Sequence, residues 1–276
     1  MQLHNPTLLN KLAKRLASPL SRVLCSKLLL VPTRAADAYL NFLLGRGAGT
    51  GWDIEQEIRA ARGYVHRARP VVFDVGANIG IWSQHAMEAM PDARIYMFEP
   101  SPDCQLKIQS ANLSPDKLVP CAVGERSGKA TLHSSSATDG SASLYERVDS
   151  YFMDREYINI EVEVVTLDDV IETEKVDFVD FLKLDIEGHE LFALRGAKKT
   201  LAEKRIGALS FEFGSGNINS RTFFKDFWNL LSAAGFRIWR ITPGGIPILI
   251  DRYYEDLEYF RGVSNYIAEL LHHPYK

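Results

Sequence analysis

Cysteine is scarce in this chain, and its beginning contains no long apolar run. Three cysteines stand far apart, at Cys25, Cys104 and Cys121, which is too few for a disulfide framework, and no CxxC pair or His/Cys cluster indicates a zinc site. The longest apolar run near the start, residues 28–31, is too short for a signal-peptide core or a bilayer span. We therefore expect a cytoplasmic protein in a reducing compartment.

An excess of one charge is also missing. The 276 residues carry a net charge of −3, and 46% are hydrophobic and 24% charged, which is the composition of an ordinary globular protein. This balance gives no electrostatic reason to expect a nucleic-acid partner. The charge is unevenly spread, because residues 1–50 hold seven Lys or Arg against one Asp, a net +6, so the remaining residues carry −9.

The first 45 residues show the pattern of a basic amphipathic helix. Apolar residues recur at helical spacing with basic residues between them, and Pro19 is expected to break the helix in two. The apolar positions are Leu8, Leu9, Leu12, Leu16, Leu20, Val23, Leu24 and Leu28. Two uses stay open: packing on the catalytic domain or on a second subunit of a homo-oligomer, or peripheral contact with an anionic membrane surface. We assign residues 1–50 to this helical segment and 51–276 to one domain.

From Pro70 onward, short apolar strands alternate with amphipathic helices, which predicts an α/β fold with parallel strands and crossover helices. The predicted strands cover residues 71–75, 94–98, 118–123, 130–133, 158–164, 178–184, 209–213, 236–241 and 247–250. The predicted helices cover residues 82–90, 102–113, 167–171, 190–201 and 223–234. Residues 133–150 form a serine-rich segment that is expected to be a mobile loop. Its part over residues 134–143 is a candidate lid or acceptor-contacting loop, and a plain solvated loop fits the pattern equally well.

A glycine-containing turn follows the first predicted strand. Gly76 and Gly80 stand between strand and helix, where a tight turn and a close ligand require no Cβ. Asn78 occupies the place at which a dinucleotide site has its second glycine, which argues against a pyrophosphate. Glu99 lies 25 residues after Asp74, at the end of the next strand, where a carboxylate can accept both ribose hydroxyls.

These features favour S-adenosylmethionine, a cofactor that needs ribose recognition without a phosphate cradle. Its carboxylate would sit by the helix N-terminus at residues 78–81, and its ammonium would face Asp74. A nicotinamide-dependent oxidoreductase that uses the same turn and Glu99 is the alternative enzyme class. A non-catalytic scaffold subunit that retains the cofactor-binding fold is a third hypothesis.

The ordered set of motifs resembles the FkbM-type family of S-adenosylmethionine-dependent methyltransferases, over about residues 51–213. The segments that carry the resemblance are 74–80 (DVGANIG), 98–100 (FEP), 122–124 (AVG), 165–169 (VTLDD), 182–190 (LKLDIEGHE) and 194–197 (LRGA). It implies a Rossmann-like class I methyltransferase fold with a mostly parallel sheet and helices on both faces. It also implies that Asp74, Gly76, Asn78 and Gly80 surround the methionine moiety, Glu99 binds the ribose and Val123 flanks the adenine.

A second acidic group follows two later strands. Asp185, Glu187 and Glu212 are expected at the same sheet edge as the glycine turn, with Asp185 also close to the cofactor. His189 is a candidate general base for a hydroxyl acceptor, although the family fills this place variably. The three carboxylates are alternatively candidate ligands for a Mg²⁺-like cation that acidifies the hydroxyl. Asp53, Glu55 and Glu57 resemble an acidic entry segment of the relatives.

The sequence therefore predicts a methyltransferase that transfers a methyl group to a hydroxyl of a sugar, glycan or other secondary metabolite. The acceptor class rests on the resemblance. Five acids, at Asp74, Glu99, Asp185, Glu187 and Glu212, speak against a scaffold that has lost its activity.

Overall fold

The computed structural model describes residues 8–49, 54–111, 113, 115–147 and 155–275. Asp53 lies outside these residues. In chain order the strands are β1 (Val71–Val75), β2 (Arg94–Phe98), β3 (Lys117–Val119), β4 (Ala122–Val123), β5 (Gly128–Ser134), β6 (Ile158–Val165), β7 (Val179–Leu184), β8 (Ile206–Gly214), β9 (Phe236–Ile241), β10 (Pro247–Ile250) and β11 (Val263–Leu270). The helices are α1 (Leu8–Leu24), α2 (Leu30–Leu43), α3 (Ile54–Gly63), α4 (Ile81–Ala89), α5 (Pro102–Ser110), α6 (Leu167–Thr173), α7 (Glu190–Arg195), α8 (Lys198–Ala202), α9 (Gly216–Ser220) and α10 (Phe224–Ala233), with a 3₁₀ turn at Glu255–Glu258.

The larger sheet has the strand order β10-β9-β11-β8-β7-β1-β2-β3. Its central strands β3, β2, β1, β7 and β8 run parallel, whereas β11 is antiparallel to both β8 and β9. The chain leaves β1 toward β2 on one side and leaves β7 toward β8 on the other. The gap between the carboxyl ends of β1 and β7 is therefore the point at which doubly wound sheets bind their ligands.

Successive residues of β1 pack on opposite faces of this sheet, as the period of a strand requires. Phe73 belongs to one apolar cluster together with Leu191 and Leu194 of α7. Val72 belongs to a second cluster together with Trp82 and Ala86 of α4. Since both faces are covered, all five residues of β1 are buried, which explains its uninterrupted apolar sequence except for Asp74. The predicted α/β fold is confirmed.

Two predicted elements divide in the structure. The strand expected over 118–123 is wrong, because Pro120 separates β3, which pairs with β2, from β4, which pairs with β6 of a second sheet of order β4-β6-β5. The helix expected over 190–201 ends at Arg195. The interruption between α7 and α8 lies beside a close approach of two chain segments, because a Cβ on Gly196 would lie 2.1 Å from the carbonyl oxygen of Gly124.

The N-terminal helices also differ from the prediction. α1 runs through Pro19 without a break, since an exposed helix leaves the freed carbonyl open to water. The break comes later, at residues 25–29. No helix among the described residues is both long enough and apolar enough to cross a membrane.

The turn after α2 fastens the helical segment to the body. The Gly49 N–H donates to the Val263 carbonyl at 2.9 Å, and Arg240 Nε donates to the Leu44 carbonyl at 2.8 Å. Asp37 of α2 forms an ion pair with Arg261. Strand β11, which the sequence reasoning missed, supplies Val263 to this attachment.

Candidate active site

A pocket of about 430 Å³ opens at the carboxyl edge of the parallel strands. The turns after β1 and β2, the end of β4, the segment after β7 and the end of β8 all contribute to its walls, and the loop after β5 covers one side. Of the site residues that the sequence analysis names, the lining includes Gly76, Asn78, Glu99, Val123, Asp185, Glu187, His189 and Glu212. The sheet topology therefore brings two distant groups of motifs into one cavity.

The turn after β1 depends on left-handed backbone at Gly76 and Asn78. Gly76 has φ +85°, and a Cβ there would lie 1.9 Å from the Asp185 carbonyl oxygen, so only glycine fits. Asn78 has φ +49°, and its Oδ1 accepts the N–H of Ile79 at 2.6 Å. Asparagine tolerates this conformation better than most residues because its side chain bonds locally.

Glu99 links the turns after β1 and β2. Its Oε2 accepts the Asn78 N–H at 2.8 Å, and its Oε1 accepts the Ser101 N–H at 2.7 Å. Burial raises the pKa of Glu99 to about 7, against these two hydrogen bonds, which lower it. Each carboxylate oxygen can accept a further hydrogen bond, and Glu99 lines the pocket, so Glu99 can accept hydroxyls from a ribose.

Asp74 and Gly80 lie outside the pocket lining. The Asp74 carboxylate is fully buried, accepts the Ser83 hydroxyl at 2.7 Å and pairs with Lys183 Nζ at 3.1 Å. This differs from the expectation that Asp74 faces a ligand ammonium directly. Gly80 has φ +85° and is the N-cap residue of α4, so it forms part of the turn without lining the pocket.

Three carboxylates form the opposite end of the pocket. One oxygen each of Asp185, Glu187 and Glu212 can be chosen so that all three lie within 4.8 Å of one another. They come together because Asp185 and Glu187 follow β7, and Glu212 lies near the end of the adjacent strand β8. The spacing suits a hard divalent cation, which prefers oxygen ligands.

Two cations that the sequence reasoning missed border these carboxylates. Lys183 Nζ lies 3.3 Å from Asp185 Oδ2, and Arg147 Nη1 donates to Glu187 Oε2 at 2.6 Å. Arg147 Nη2 also donates to the Ser215 hydroxyl at 2.9 Å. A lysine inside the apolar run of β7 was a visible signal, whereas Arg147 comes from a distant loop and had none.

Burial and mutual repulsion shift the pKa values of the acids. Burial, and then the charge of Asp185, raise the pKa of Glu187 to about 8, and the same two causes raise that of Glu212 well above its usual range. Among the described residues no hydrogen-bond donor to Glu212 is present, although this residue is nine-tenths buried. Glu57 of α3 lies close enough to Lys183 and Asp185 to interact electrostatically, and burial raises its pKa to about 8.

His189 lines the pocket at the start of α7. Its ring stacks on Phe192 with 4.8 Å between centroids, and Nδ1 lies 2.9 Å from the hydroxyl of Tyr145. Burial lowers the pKa of His189 to about 4. The ring is therefore neutral near pH 7 and a weaker proton acceptor than an unperturbed histidine.

The serine-rich loop is organised around Asp139. Its two oxygens accept the N–H and hydroxyl of Ser135 and of Ser141, at 2.6 to 2.8 Å. Burial acts in the opposite direction, yet these bonds lower the pKa of Asp139 to about 2. The Asp139 carbonyl accepts Asn78 Nδ2 at 3.3 Å, and the Ser143 hydroxyl donates to the Glu187 carbonyl at 2.9 Å. The loop thus connects both ends of the pocket.

Comparison with known proteins agrees with this architecture. The profile of the Methyltransferase FkbM domain matches residues 74–238. The 2-O-methyltransferase NoeI of Sinorhizobium fredii (strain NBRC 101917 / NGR234) is 26% identical over 150 residues, which cover 50% of this chain and 61% of that protein. The hexuronic acid methyltransferase AglP of Haloferax volcanii is 27% identical over 168 residues, which cover 59% of this chain and 62% of that protein. Each match therefore spans about three fifths of the relative's length.

A solved structure, methyltransferase FkbM from Methylobacillus flagellatus KT, superposes with a TM-score of 0.45 at 17% identity, covering 85% of this chain and 59% of that one. The sheet described above, with β11 inserted antiparallel between β8 and β9, is that of a Rossmann-like class I methyltransferase. Within that class the profile match is decisive: the chain belongs to the FkbM methyltransferase family. This membership gives no support to the oxidoreductase alternative.

Proposed function

We propose that the protein is an S-adenosylmethionine-dependent O-methyltransferase acting on a hydroxyl of a sugar, glycan or other secondary metabolite. The observation that carries the proposal is one pocket with two unlike ends, a glycine turn braced by Glu99 and a group of buried carboxylates. Two relatives whose names specify a 2-O-methyltransferase and a hexuronic acid methyltransferase support the choice of a hydroxyl acceptor.

The residues at the first end fit the methyl donor. The turn at Gly76 lets a ligand approach the backbone without meeting a Cβ, Glu99 retains lone pairs for the two ribose hydroxyls, and Val123 offers an apolar wall for the adenine. S-adenosylmethionine supplies an activated methyl group on a sulfonium. The pocket lining holds more acidic than basic side chains, which favours a ligand that carries a sulfonium and an ammonium.

The carboxylates at the second end fit an acceptor whose hydroxyl must lose its proton. Glu212 faces the pocket, is nine-tenths buried and has no described hydrogen-bond donor. We assign it the role of proton acceptor. Burial raises the pKa of Glu212, which makes its carboxylate a stronger base once it is deprotonated. His189 would then shape the acceptor site as a neutral ring stacked on Phe192.

A divalent cation at Asp185, Glu187 and Glu212 is the alternative means of acidifying the hydroxyl. The mutual spacing of the three carboxylates favours it. The ion pair between Arg147 and Glu187 weighs against it, because the guanidinium already supplies positive charge there.

Calorimetric titration with S-adenosylhomocysteine, beside NAD and NADP, tests the donor site. We expect binding of S-adenosylhomocysteine alone, weakened at least about tenfold in Glu99→Gln, because a neutral amide accepts the ribose hydroxyls less strongly than a carboxylate does. Glu88→Gln, an exposed acid on α4, is the matched control and should bind normally. Transfer of a labelled methyl group to a panel of sugars then tests the acceptor class. Binding of NAD instead, or no binding by the wild-type protein, would overturn the proposal.

A further inference from the structure

Exposed apolar side chains concentrate on α1, α2 and the turn that joins them. Leu28 is 84% exposed, Val31 73% and Leu40 61%, and α2 has no buried residue. The other large apolar side chains that stand exposed in this segment are Leu16, Leu20, Val23, Leu24, Leu30, Tyr39, Leu43 and Leu44. A patch of this extent on a soluble body marks a binding surface.

Apolar and polar residues lie on opposite sides of α1. With 100° between successive helical residues, one half of the helix between Arg15 and Leu24 carries only apolar side chains and the other only polar ones. The apolar half holds Leu16, Leu20, Val23 and Leu24, and the polar half holds Arg15, Ser18, Ser21 and Arg22. A helix of this kind lies in the plane of a membrane interface, with its apolar half among the acyl chains and its cations at the headgroups.

The positive charge of residues 1–50 favours binding to an anionic surface. Residues 1–50 carry seven basic residues and one acid, Asp37, and that acid is already paired with Arg261 of the body. The exposed cations of the segment are Arg15, Arg22, Lys27 and Arg34, and they lack compensating acids from their own segment. Anionic lipid headgroups supply the opposite charge.

The segment is attached at the edge of the sheet where the pocket opens. Gly49 bonds to Val263, which pairs with Gly214 at the carboxyl end of β8, two residues beyond Glu212. Further exposed apolar residues stand on connections at this same edge, at Ile218, Phe223, Ile246 and Tyr259. A surface that receives α1 and α2 is therefore adjacent to the pocket.

We propose that α1 and α2 bind the surface of an anionic membrane and hold the pocket edge toward the lipid. The binding itself is independent of the chemistry in the pocket. Its consequence for substrate choice, an acceptor hydroxyl on a lipid-linked molecule, rests on the proposed function. Peripheral contact of this kind needs no helix that crosses the bilayer.

Vesicle flotation of the full chain tests the proposal. We expect the protein to float with vesicles of phosphatidylglycerol and phosphatidylcholine and to remain unbound with phosphatidylcholine alone. Leu16→Gln, Leu20→Gln and Val23→Gln combined should reduce partitioning at least tenfold, since three apolar side chains no longer enter the acyl layer. Arg15→Gln with Arg22→Gln should reduce it about fivefold per residue and weaken its salt dependence.

Ser18→Gln with Ser21→Gln is the matched control, because it adds polar bulk to the other half of the same helix. This control should float as the wild type does, and all variants should keep the wild-type melting temperature, since the replaced residues are exposed. The proposal is overturned if the apolar-face variant floats normally, if charge-neutral vesicles bind equally well, or if light scattering shows that these leucines instead hold a dimer together. None of these outcomes depends on methyl transfer, so a failure here is distinguishable from a failure of the proposed function.

Discussion

Burial shifts the pKa values of the two candidate proton acceptors, His189 and Glu212, in opposite directions. His189 is surrounded by Phe192, Tyr145 and the walls of the cavity, and its pKa is lowered to about 4 because the charged ring would be poorly solvated. The same burial raises the pKa of Glu212, since here the charged form is the deprotonated one. A carboxylate and an imidazole thus exchange their usual order of basicity. The expectation that His189 is the base stays a prediction, and the proposed function assigns that role to Glu212.

Substitution of the two residues separates these roles. We expect Glu212→Gln to lower kcat at least about 100-fold, in line with the loss of a general base, while the Kd for S-adenosylhomocysteine stays within about threefold. His189→Ala should lower kcat less than about tenfold. Stopped assays with a labelled methyl group measure both. A larger fall in kcat for His189→Ala than for Glu212→Gln would identify His189 as the base.

Two further measurements serve as controls for this assignment. Glu212→Gln should unfold at the same or a higher temperature, because a buried carboxylate without a donor is replaced by a neutral amide of the same shape. Addition of EDTA to the wild-type enzyme should leave turnover unchanged if Glu212 is the base. Loss of activity in EDTA and recovery with Mg²⁺ would favour the cation at Asp185, Glu187 and Glu212.

At the scale of elements, the loop between β5 and β6 covers one side of the pocket and contacts the segments that follow β1 and β7. Asp139 gathers Ser135 and Ser141 by four hydrogen bonds, and the loop then contacts Asn78 on one side and Glu187 on the other. Because the Asp139 pKa is about 2, the carboxylate is ionised at any physiological pH. Its bonds to the loop are therefore charge-assisted and strong.

Replacement of this carboxylate should loosen the loop without unfolding the protein. We expect Asp139→Ala to weaken S-adenosylhomocysteine binding about three- to tenfold and to speed amide hydrogen exchange at residues 134–147, because two serines lose their shared acceptor. Ser136→Ala is the control, since Ser136 is exposed on the same loop and its side chain takes no part in these bonds. Wild-type exchange and affinity in Asp139→Ala would show that the loop has no role in closing the pocket.

At the largest scale, the domain places acids with raised folded-state pKa values in the pocket, at Glu99 and Glu187, and in the packing around it, at Glu57 and Glu190. These pKa values are about 8 for Glu57 and Glu187 and about 7 for Glu99 and Glu190, with burial as the largest cause of each. Stability from such a group is fully present below its unfolded pKa of about 4.5 and is lost as the pH rises through its folded pKa. His189 acts in the opposite sense, because its contribution is lost as the pH falls from about 6.5 through about 4.

The protein without ligand should therefore lose stability as the pH rises from about 6.5 to about 8. We expect the free energy of unfolding in urea to fall over this interval, with each acid contributing at most about 1.4 kcal/mol per pH unit. Glu57→Gln should reduce this fall in the free energy of unfolding by about 1 kcal/mol, since one carboxyl group with a raised pKa is removed. Glu55→Gln, exposed on the same helix α3, is the matched control. An identical slope in Glu57→Gln and the wild type would contradict the linkage.

Local pattern was sufficient for the central strands and for the first half of the site. The uninterrupted apolar run of β1, the glycine turn and the acid after β2 are contiguous signals, and the structure places Gly76, Asn78, Glu99 and Val123 in one lining. The predicted ends of elements were wrong where residues far apart in the sequence are in contact. α7 ends early beside the close approach of Gly196 to Gly124, and the pairing of β4 with β6 divides a predicted strand.

Local sequence is sufficient to predict the alternation of strands and helices, the family motifs and the amphipathic character of the first 45 residues, because each depends on neighbours within a few positions. Which charges meet depends on the packing of distant segments. Arg147 reaches Glu187 across 40 residues, Lys183 reaches Asp74 across 109, and Asp74 is thereby held behind the pocket. Burial, which raises the pKa of Glu212 and lowers that of His189, is a property of the whole packed domain, so no local pattern contains it.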